Sequence, residues 1–230
     1  GFDLGVGTLL PIVARTDLER RTAINSIGPF WEGNQAWLIL AGGASFAAWP
    51  HLYAVSFSGF YLAMFAILVA LILRPVAFKF RSKRESPVWR RRWDSVLFLG
   101  GFVPALIFGV AMGNVLQGVP FRFDPAMRIF YDGGFFGLLN PFALVAGLVS
   151  VAMLTLHGAA WLVMKTEGPV AQRAARAGIV AALATTALYA LAGWLLAHQV
   201  PGYQLTSAMP VDGPSNPLLK TAEAVTGGWL

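Results

Sequence analysis

The stretch Ser95–Leu116, SVLFLGGFVPALIFGVAMGNVL, contains no Asp, Glu, Lys or Arg. A helix needs about 20 mainly apolar residues to cross a bilayer core about 30 Å thick, so this stretch predicts a membrane span. The composition agrees, because 57% of the residues are hydrophobic and only 12% are charged, whereas soluble domains carry about 25% charged residues. A soluble enzyme is therefore excluded, and the absence of cysteine excludes disulfides and cysteine-ligated metal sites.

The other apolar stretches predict an all-α, polytopic transmembrane helical bundle that forms a single domain over residues 1–230. Residues 198–230 are rich in Pro, Gly, Ser and Thr and predict an external loop. Because the sequence begins with Gly inside an apolar stretch, we expect it to be a fragment whose first helix starts upstream. The predicted spans are 1–14 (partial), 30–49, 52–73, 95–116, 138–164 and 177–197.

Basic residues alternate between the predicted loops. Loops 15–28, 74–94 and 165–176 hold fourteen of the 17 Lys and Arg residues, and the three loops between them hold the remainder. Since cytoplasmic loops carry an excess of Lys and Arg, the three basic loops are predicted to be cytoplasmic in a bacterial inner membrane. The net charge of +6 is then explained by the basic cytoplasmic loops of a protein in a lipid bilayer. We therefore expect no nucleic-acid partner.

Polar side chains near the first two spans are the candidate functional residues. Asp3 lies at predicted membrane depth, where a carboxylate is expensive and marks a functional hypothesis. Glu32, Asn34 and Gln35 lie at the start of the next span, with Glu32 and Gln35 on one helix face. These four residues are predicted members of a proton path. A structural hydrogen bond for Asp3, and a helix-start carboxylate favoured by the helix dipole for Glu32, remain the alternatives.

Histidines and glycines give less direct signals. His51, His157 and His198 lie on different predicted elements without ligand spacing, so we expect no metal and no cofactor in this chain. Small-residue pairs such as Gly1/Gly5 and Gly109/Gly113 predict close helix packing, with a ligand-facing role as the alternative.

A series of short motifs carries a family resemblance. It is dense as far as residue 168, thins over the sixth span and the tail, and includes Ser215–Pro217 near the end. This ordered series closely resembles subunit II of the cytochrome bd-type quinol oxidases. The motifs are GFDLGVG (1–7), ERR (19–21), INSI (24–27), WEGN (31–34), WLILAGG (37–43), FAAWP (46–50), FSGFY (57–61), RPV (74–76), WD (93–94), GVA (109–111), GN (113–114) and LNPF (139–142).

The resemblance implies a complete subunit of eight transmembrane helices beside subunit I, which would carry haem b, haem d and the quinol-oxidising site. The complex would reduce O₂ to water electrogenically with protons from the cytoplasm, and this subunit would support assembly and proton uptake. Asp3 and Glu32 fall on the family's acidic positions. The resemblance leaves open a bound structural quinone and a small accessory subunit. The alternatives are a purely structural scaffold subunit and, on topology alone, a transporter.

Overall fold

The computed structural model describes residues 1–207 and 220–229 and confirms an all-α bundle with long apolar helices. Two small two-stranded sheets accompany the helices. The described elements are α1 (Phe2–Val13), α2 (Asp17–Ile27), α3 (Trp31–Ala48), α4 (Pro50–Gly59), α5 (Tyr61–Phe80), α6 (Pro87–Gln117), β1 (Phe121–Phe123), β2 (Ile129–Tyr131), α7 (Pro141–Lys165), α8 (Gly168–Gln199), β3 (Gly202–Leu205) and β4 (Ala222–Val225), with short 3₁₀ turns at Arg81–Lys83 and Phe135–Leu138.

Four of the described helices are long and apolar enough to cross a membrane. They are α5 with its following turn, Tyr61–Lys83, and the whole of α6, α7 and α8. The α3 helix coincides with predicted span 30–49, but it does not meet the same criterion, because its first turns carry Glu32, Asn34 and Gln35. Its 18 residues rise about 27 Å at 1.5 Å per residue, so a span at α3 stays a prediction.

The predicted span 52–73 is divided between two helices. Its first part lies in α4, and Phe60 interrupts the regular helix before α5 begins. The pair Ser58–Gly59 directly precedes the break, and Gly/Ser pairs are common sites of helix kinks. The Phe60 amide donates the last hydrogen bond of α4, to Ser56, and the Phe60 carbonyl accepts the first of α5, from Met64, so a single residue separates the two helices.

The boundary of the loop predicted at 74–94 is wrong at its first residue. Arg74 lies inside α5, which continues to Phe80, and the Arg74 side chain is only 3% exposed. The apolar run does end at Leu73, but an arginine can remain inside a helix bundle when an opposite charge faces it. The helix therefore ends where its surroundings become polar, about two turns after the hydropathy signal ends.

The short α1 helix lies at the centre of the core. It packs against α6, α7 and α8, and Val6, Leu9, Leu10 and Val13 are almost fully buried. Glycines permit this close approach: a Cβ on Gly5 would lie 1.9 Å from the backbone oxygen of Leu154 in α7. These side chains and backbones hold α1 tightly between its neighbours.

Short strands close the end of the bundle opposite the basic loops. β1 pairs antiparallel with β2, and β3 pairs antiparallel with β4. Asn114 joins this region to the bundle, because its side-chain amide donates to the Leu138 carbonyl and its oxygen accepts from Asn140. The β3–β4 pair lies in the predicted external loop 198–230, whereas the motif Ser215–Pro217 lies outside the described residues.

Candidate functional site

Asp3 of α1 and Arg74 of α5 form a buried ion pair. The Arg74 Nη2 atom lies 2.8 Å from Asp3 Oδ2, and the two side chains are 3% and 4% exposed. Asp3 Oδ1 also lies 3.2 Å from the backbone nitrogen of Gly1. Sequence reasoning found Asp3 but missed Arg74, which it assigned to a loop. A signal for Arg74 was available, because a carboxylate at membrane depth needs a cation beside it. Arg74 is the first basic residue after the apolar run that ends at Leu73.

A polar cleft of about 180 Å³ opens beside this pair. Asp3, Arg74, Asn34 and Gln35 line it together with apolar side chains from α1, α3, α5, α6 and α7. Gln35 donates from Nε2 to the Leu71 carbonyl at 3.3 Å, which fixes the start of α3 against α5. The buried Asn34 Nδ2 atom has no hydrogen-bond partner among the described residues. Three of the four predicted site residues therefore meet at one cleft.

Glu32 occupies a different position. It lies in the first turn of α3, its side chain is exposed, and it is absent from the residues that line the polar cleft. Within residues 1–207 and 220–229, it has no ion pair and no side-chain hydrogen bond. The predicted path is thus separated into a buried group around Asp3 and an exposed carboxylate at the start of α3.

The buried pair also borders a second, much smaller void. This void has a volume of about 10 Å³, and Asp3, Arg74, Ile24 and Ile27 line part of it. A cavity needs a volume of about 10–15 Å³, measured in the same way, to hold one water molecule. Asp3 and Arg74 therefore line both the polar cleft and a small space next to α2 that is at the lower size limit for one water molecule.

Ion pairs connect the three basic loops at one end of the bundle, which we call the basic end. Asp94 lies between Arg81, whose Nε atom is 2.5 Å away, and Arg20, whose Nη1 atom is 2.7 Å away. Asp17 accepts from both Arg81 and Arg90. These contacts join α2, the end of α5 and the start of α6, so loops predicted on one side of the membrane do lie together.

Glu19 makes the corresponding contact with the third basic loop. Its carboxylate accepts from the backbone amides of Arg15 and Thr16 and from the guanidinium of Arg173 in α8. The two backbone hydrogen bonds, followed by the Arg173 side chain, lower the pKa of Glu19 from 4.5 to about 2. Thr16 completes a capping box at the start of α2, because its side chain accepts from the Glu19 amide.

Comparison with known proteins agrees with the motif series. A family model described as cytochrome bd terminal oxidase subunit II matches residues 1–226. The chain belongs to this family. It is 52% identical over its full length to cytochrome bd-I ubiquinol oxidase subunit 2 of Escherichia coli and 51% identical to probable cytochrome oxidase subunit 2 of Haemophilus influenzae. Cytochrome bd ubiquinol oxidase subunit 2 of Bacillus subtilis is 36% identical over 76% of this chain and 50% of its own length.

The chain spans 61% of the length of the Escherichia coli and Haemophilus influenzae relatives. Family membership and the apolar helices make it part of a multi-pass bacterial membrane protein, and the family is one of oxidase subunits. The resemblance inferred from the motifs is therefore confirmed.

The three histidines, which would be the residues to ligate a haem, lie on three different helices. His51 of α4 lies edge-on to Phe123, His157 of α7 lies edge-on to Phe2, and the ring of His198 stacks on Trp194. His51 borders an apolar cavity of about 250 Å³ that no second described histidine lines. Within the described ranges, no group of three or more His, Asp or Glu side chains could hold a metal ion. The described residues do not fit a haem held by two histidines.

Proposed function

We propose that this chain acts as the non-haem subunit of a bd-type terminal oxidase that oxidises quinol and reduces O₂ to water. Its partner is subunit I, to which we assign the haem b and haem d groups. Family membership supports the oxidase assignment, and the joined basic loops support a single cytoplasmic end. In this proposal, the chain supports assembly with subunit I and proton uptake from the cytoplasm.

The polar cleft is the observation that carries the proton-uptake part of the proposal. Its volume of about 180 Å³ equals that of about six waters at about 30 Å³ each. A carboxylate, two amides and a guanidinium line it among apolar side chains, and the buried Asn34 Nδ2 atom has no hydrogen-bond partner among the described residues. Such a site can order the water that conducts protons between α1 and α3.

Glu32 is the proposed proton-exchanging member of this path. It is exposed and lacks an ion pair and a side-chain hydrogen bond among the described residues. Gln35, three residues further along the same helix, lines the polar cleft. In this proposal, a proton released from Glu32 passes one helical turn along α3 to Gln35 and enters the cleft there.

Asp3 has a different role in this scheme, because it is tied to Arg74. Breaking a buried ion pair by removing one partner costs about 3–5 kcal/mol, since the other charge remains uncompensated. Asp3 and Arg74 thus act as a fixed pair that orients water in the cleft. The two carboxylates are unequal members of the path.

A purely structural role is the second candidate function, and the same ion pair favours it. The pair links α1 to α5 inside the bundle, and α1 is also held by the close glycine contacts with α7. In this alternative, the first-turn position of Glu32 reflects only the favourable interaction of a carboxylate with the helix dipole. The two candidate functions predict different enzyme activities for a variant in which Glu32 has lost its charge.

The deciding experiment replaces Glu32 with Gln in the full-length subunit within its complex. The substitution removes the titratable group and breaks no described contact, so assembly and haem content should stay at the wild-type level. A general acid–base group contributes about 10²–10⁴-fold, and because water can bypass a relay we expect quinol-dependent O₂ consumption to fall about tenfold. The measurements are O₂ uptake, haem absorbance and the amount of assembled complex.

Glu167→Gln is the matched control, because Glu167 is an exposed carboxylate just before α8 and does not line the polar cleft. It should leave O₂ uptake unchanged. Full activity in a fully assembled Glu32→Gln complex would end the relay proposal and leave the structural role.

A further inference from the structure

We propose that a cleft between α1 and α6 at the basic end binds the phosphate of an anionic phospholipid. This α1–α6 cleft has a volume of about 360 Å³, and Arg20, Arg91, Asp94 and Ser95 form its polar side. The volume equals that of about twelve waters at about 30 Å³ each, which is enough for a phosphodiester head group. It is separate from the polar cleft around Asp3, and the proposal does not depend on proton uptake.

The charges of the cleft favour an anion. Asp94 is already neutralised, since Arg20 and Arg81 both contact it. Arg91 is exposed, and in the part of the chain that the structure describes its side chain has no ion pair. Arg20 donates from Nε to the Ala14 carbonyl and from Nη1 to Asp94, and its Nη2 atom has no hydrogen-bond partner among the residues that the structure describes. A guanidinium recognises phosphate oxygens through paired N–H donors, so these two arginines suit a phosphate.

The other side of the cleft is apolar. Leu10 and Pro11 of α1 and Phe98 of α6 also line it, and Ile12, one residue beyond Pro11, is 58% exposed. Phosphate recognition by itself does not need an apolar wall, whereas a lipid has acyl chains that lie along one. The combination of two cations and an apolar wall at the end of a membrane helix therefore matches a phospholipid better than a free anion.

A neighbouring space extends the site outward. It has a volume of about 400 Å³, shares Arg20 and Arg91 with the α1–α6 cleft, and reaches Pro87 at the start of α6. Arg15 also lines it and has no ion pair within the described residues. Two carboxylates also line it: Asp17, which Arg81 and Arg90 neutralise, and Glu85, whose negative charge is partly offset by the partial positive charge of the first turn of α6. The larger part of a glycerol head group can occupy this outer space.

The test measures lipid retention by the full-length complex. Native mass spectrometry of the detergent-solubilised complex is recorded after addition of phosphatidylglycerol, with phosphatidylcholine and inorganic phosphate in separate arms. We expect phosphatidylglycerol to be retained in preference to phosphatidylcholine, with no competition from phosphate at equal concentration. Arg91→Gln should weaken retention about fivefold, which is the contribution of one interfacial basic residue.

Arg92→Gln is the matched control, because Arg92 is the next exposed arginine on α6 and lines neither space. It should retain lipid like the wild type. Ser95→Glu is a second variant, which adds a negative charge to the exposed rim of the cleft and should also weaken retention. Equal retention by the Arg91→Gln and Arg92→Gln complexes would overturn the proposal. Displacement of the lipid by inorganic phosphate, or a density map with another segment of the polypeptide in the cleft, would overturn it too.

Discussion

Replacing Gly5 with Ala tests the packing that holds α1 in the centre of the bundle. The added Cβ would lie 1.9 Å from the Leu154 backbone oxygen and 2.9 Å from the Gly158 nitrogen, whereas ordinary contacts begin at 3.4 Å. The obstacle is backbone rather than a flexible side chain, so α1 and α7 must separate by about 1.5 Å at this crossing. Overpacking of this kind costs about 1–3 kcal/mol, and the rigid obstacle places the cost near the upper value.

Helix propensity opposes part of this loss. Alanine is favoured over glycine within a helix by about 1 kcal/mol. The net destabilisation expected for Gly5→Ala is therefore about 2 kcal/mol, from about 3 kcal/mol of overpacking less about 1 kcal/mol of propensity. For a chain of about 150–250 residues, about 2–4 °C per kcal/mol would lower the thermal midpoint by about 4–8 °C, and the larger full-length complex should show a smaller fall.

The assay is thermal unfolding of the detergent-solubilised full-length complex, followed by tryptophan fluorescence. Gly42→Ala in α3 and Gly193→Ala in α8 are matched controls, because an added Cβ at either position meets nothing within 4 Å. They should leave the midpoint unchanged or raise it. Gly158→Ala should behave like Gly5→Ala, since its Cβ would lie 2.4 Å from the Gly5 carbonyl carbon. The double variant should lose less than the two single losses combined, because both strain the same crossing.

A midpoint for Gly5→Ala equal to that of Gly42→Ala would refute this reasoning. It would mean that α1 and α7 can separate without loss, and that the buried side chains of α1 do not depend on the close backbone contact.

Three further predictions concern charge and topology. Asp3→Asn should lower the amount of assembled complex, because Arg74 would lose its buried partner at a cost of about 3–5 kcal/mol. Immunoblots would compare the amounts of assembled Asp3→Asn and Glu32→Gln complexes, and equal amounts would contradict the ion-pair argument. Single cysteines near Lys83 should react with an impermeant reagent only from the cytoplasm, and those near Asp124 only from outside, whereas labelling from the same side would disprove the helix assignment. Because two backbone amides hold the pKa of Glu19 at about 2 instead of 4.5, its contribution to stability is complete above pH 4.5 and is lost as the pH falls towards 2. Thermal midpoints measured on acidification should therefore fall less steeply in Glu19→Gln than in the wild type, and identical slopes would exclude this contribution.

Predictions from sequence were most successful where the physical cause is local. The apolar run Ser95–Leu116 has to leave water whatever its neighbours are, so the helix α6 follows from composition alone. The alternation of basic loops similarly anticipated their meeting at one end, where Asp17, Asp94 and Glu19 join them. The site residues also carried a local signal, because a carboxylate such as Asp3 is costly inside an apolar helix.

Only the tertiary structure decided which charge accompanies Asp3. Arg74 is 71 residues away along the chain and directly follows an apolar run, so hydropathy placed it in a loop. The structure also separated Glu32 from Asn34 and Gln35, although all three lie in the first turns of one helix. Helix periodicity states which residues share a face, but the packing of α1, α5 and α6 decides which face turns inward. The free energy of a charged side chain depends on whether water or an opposite charge surrounds it, and that depends on distant parts of the chain brought together by folding.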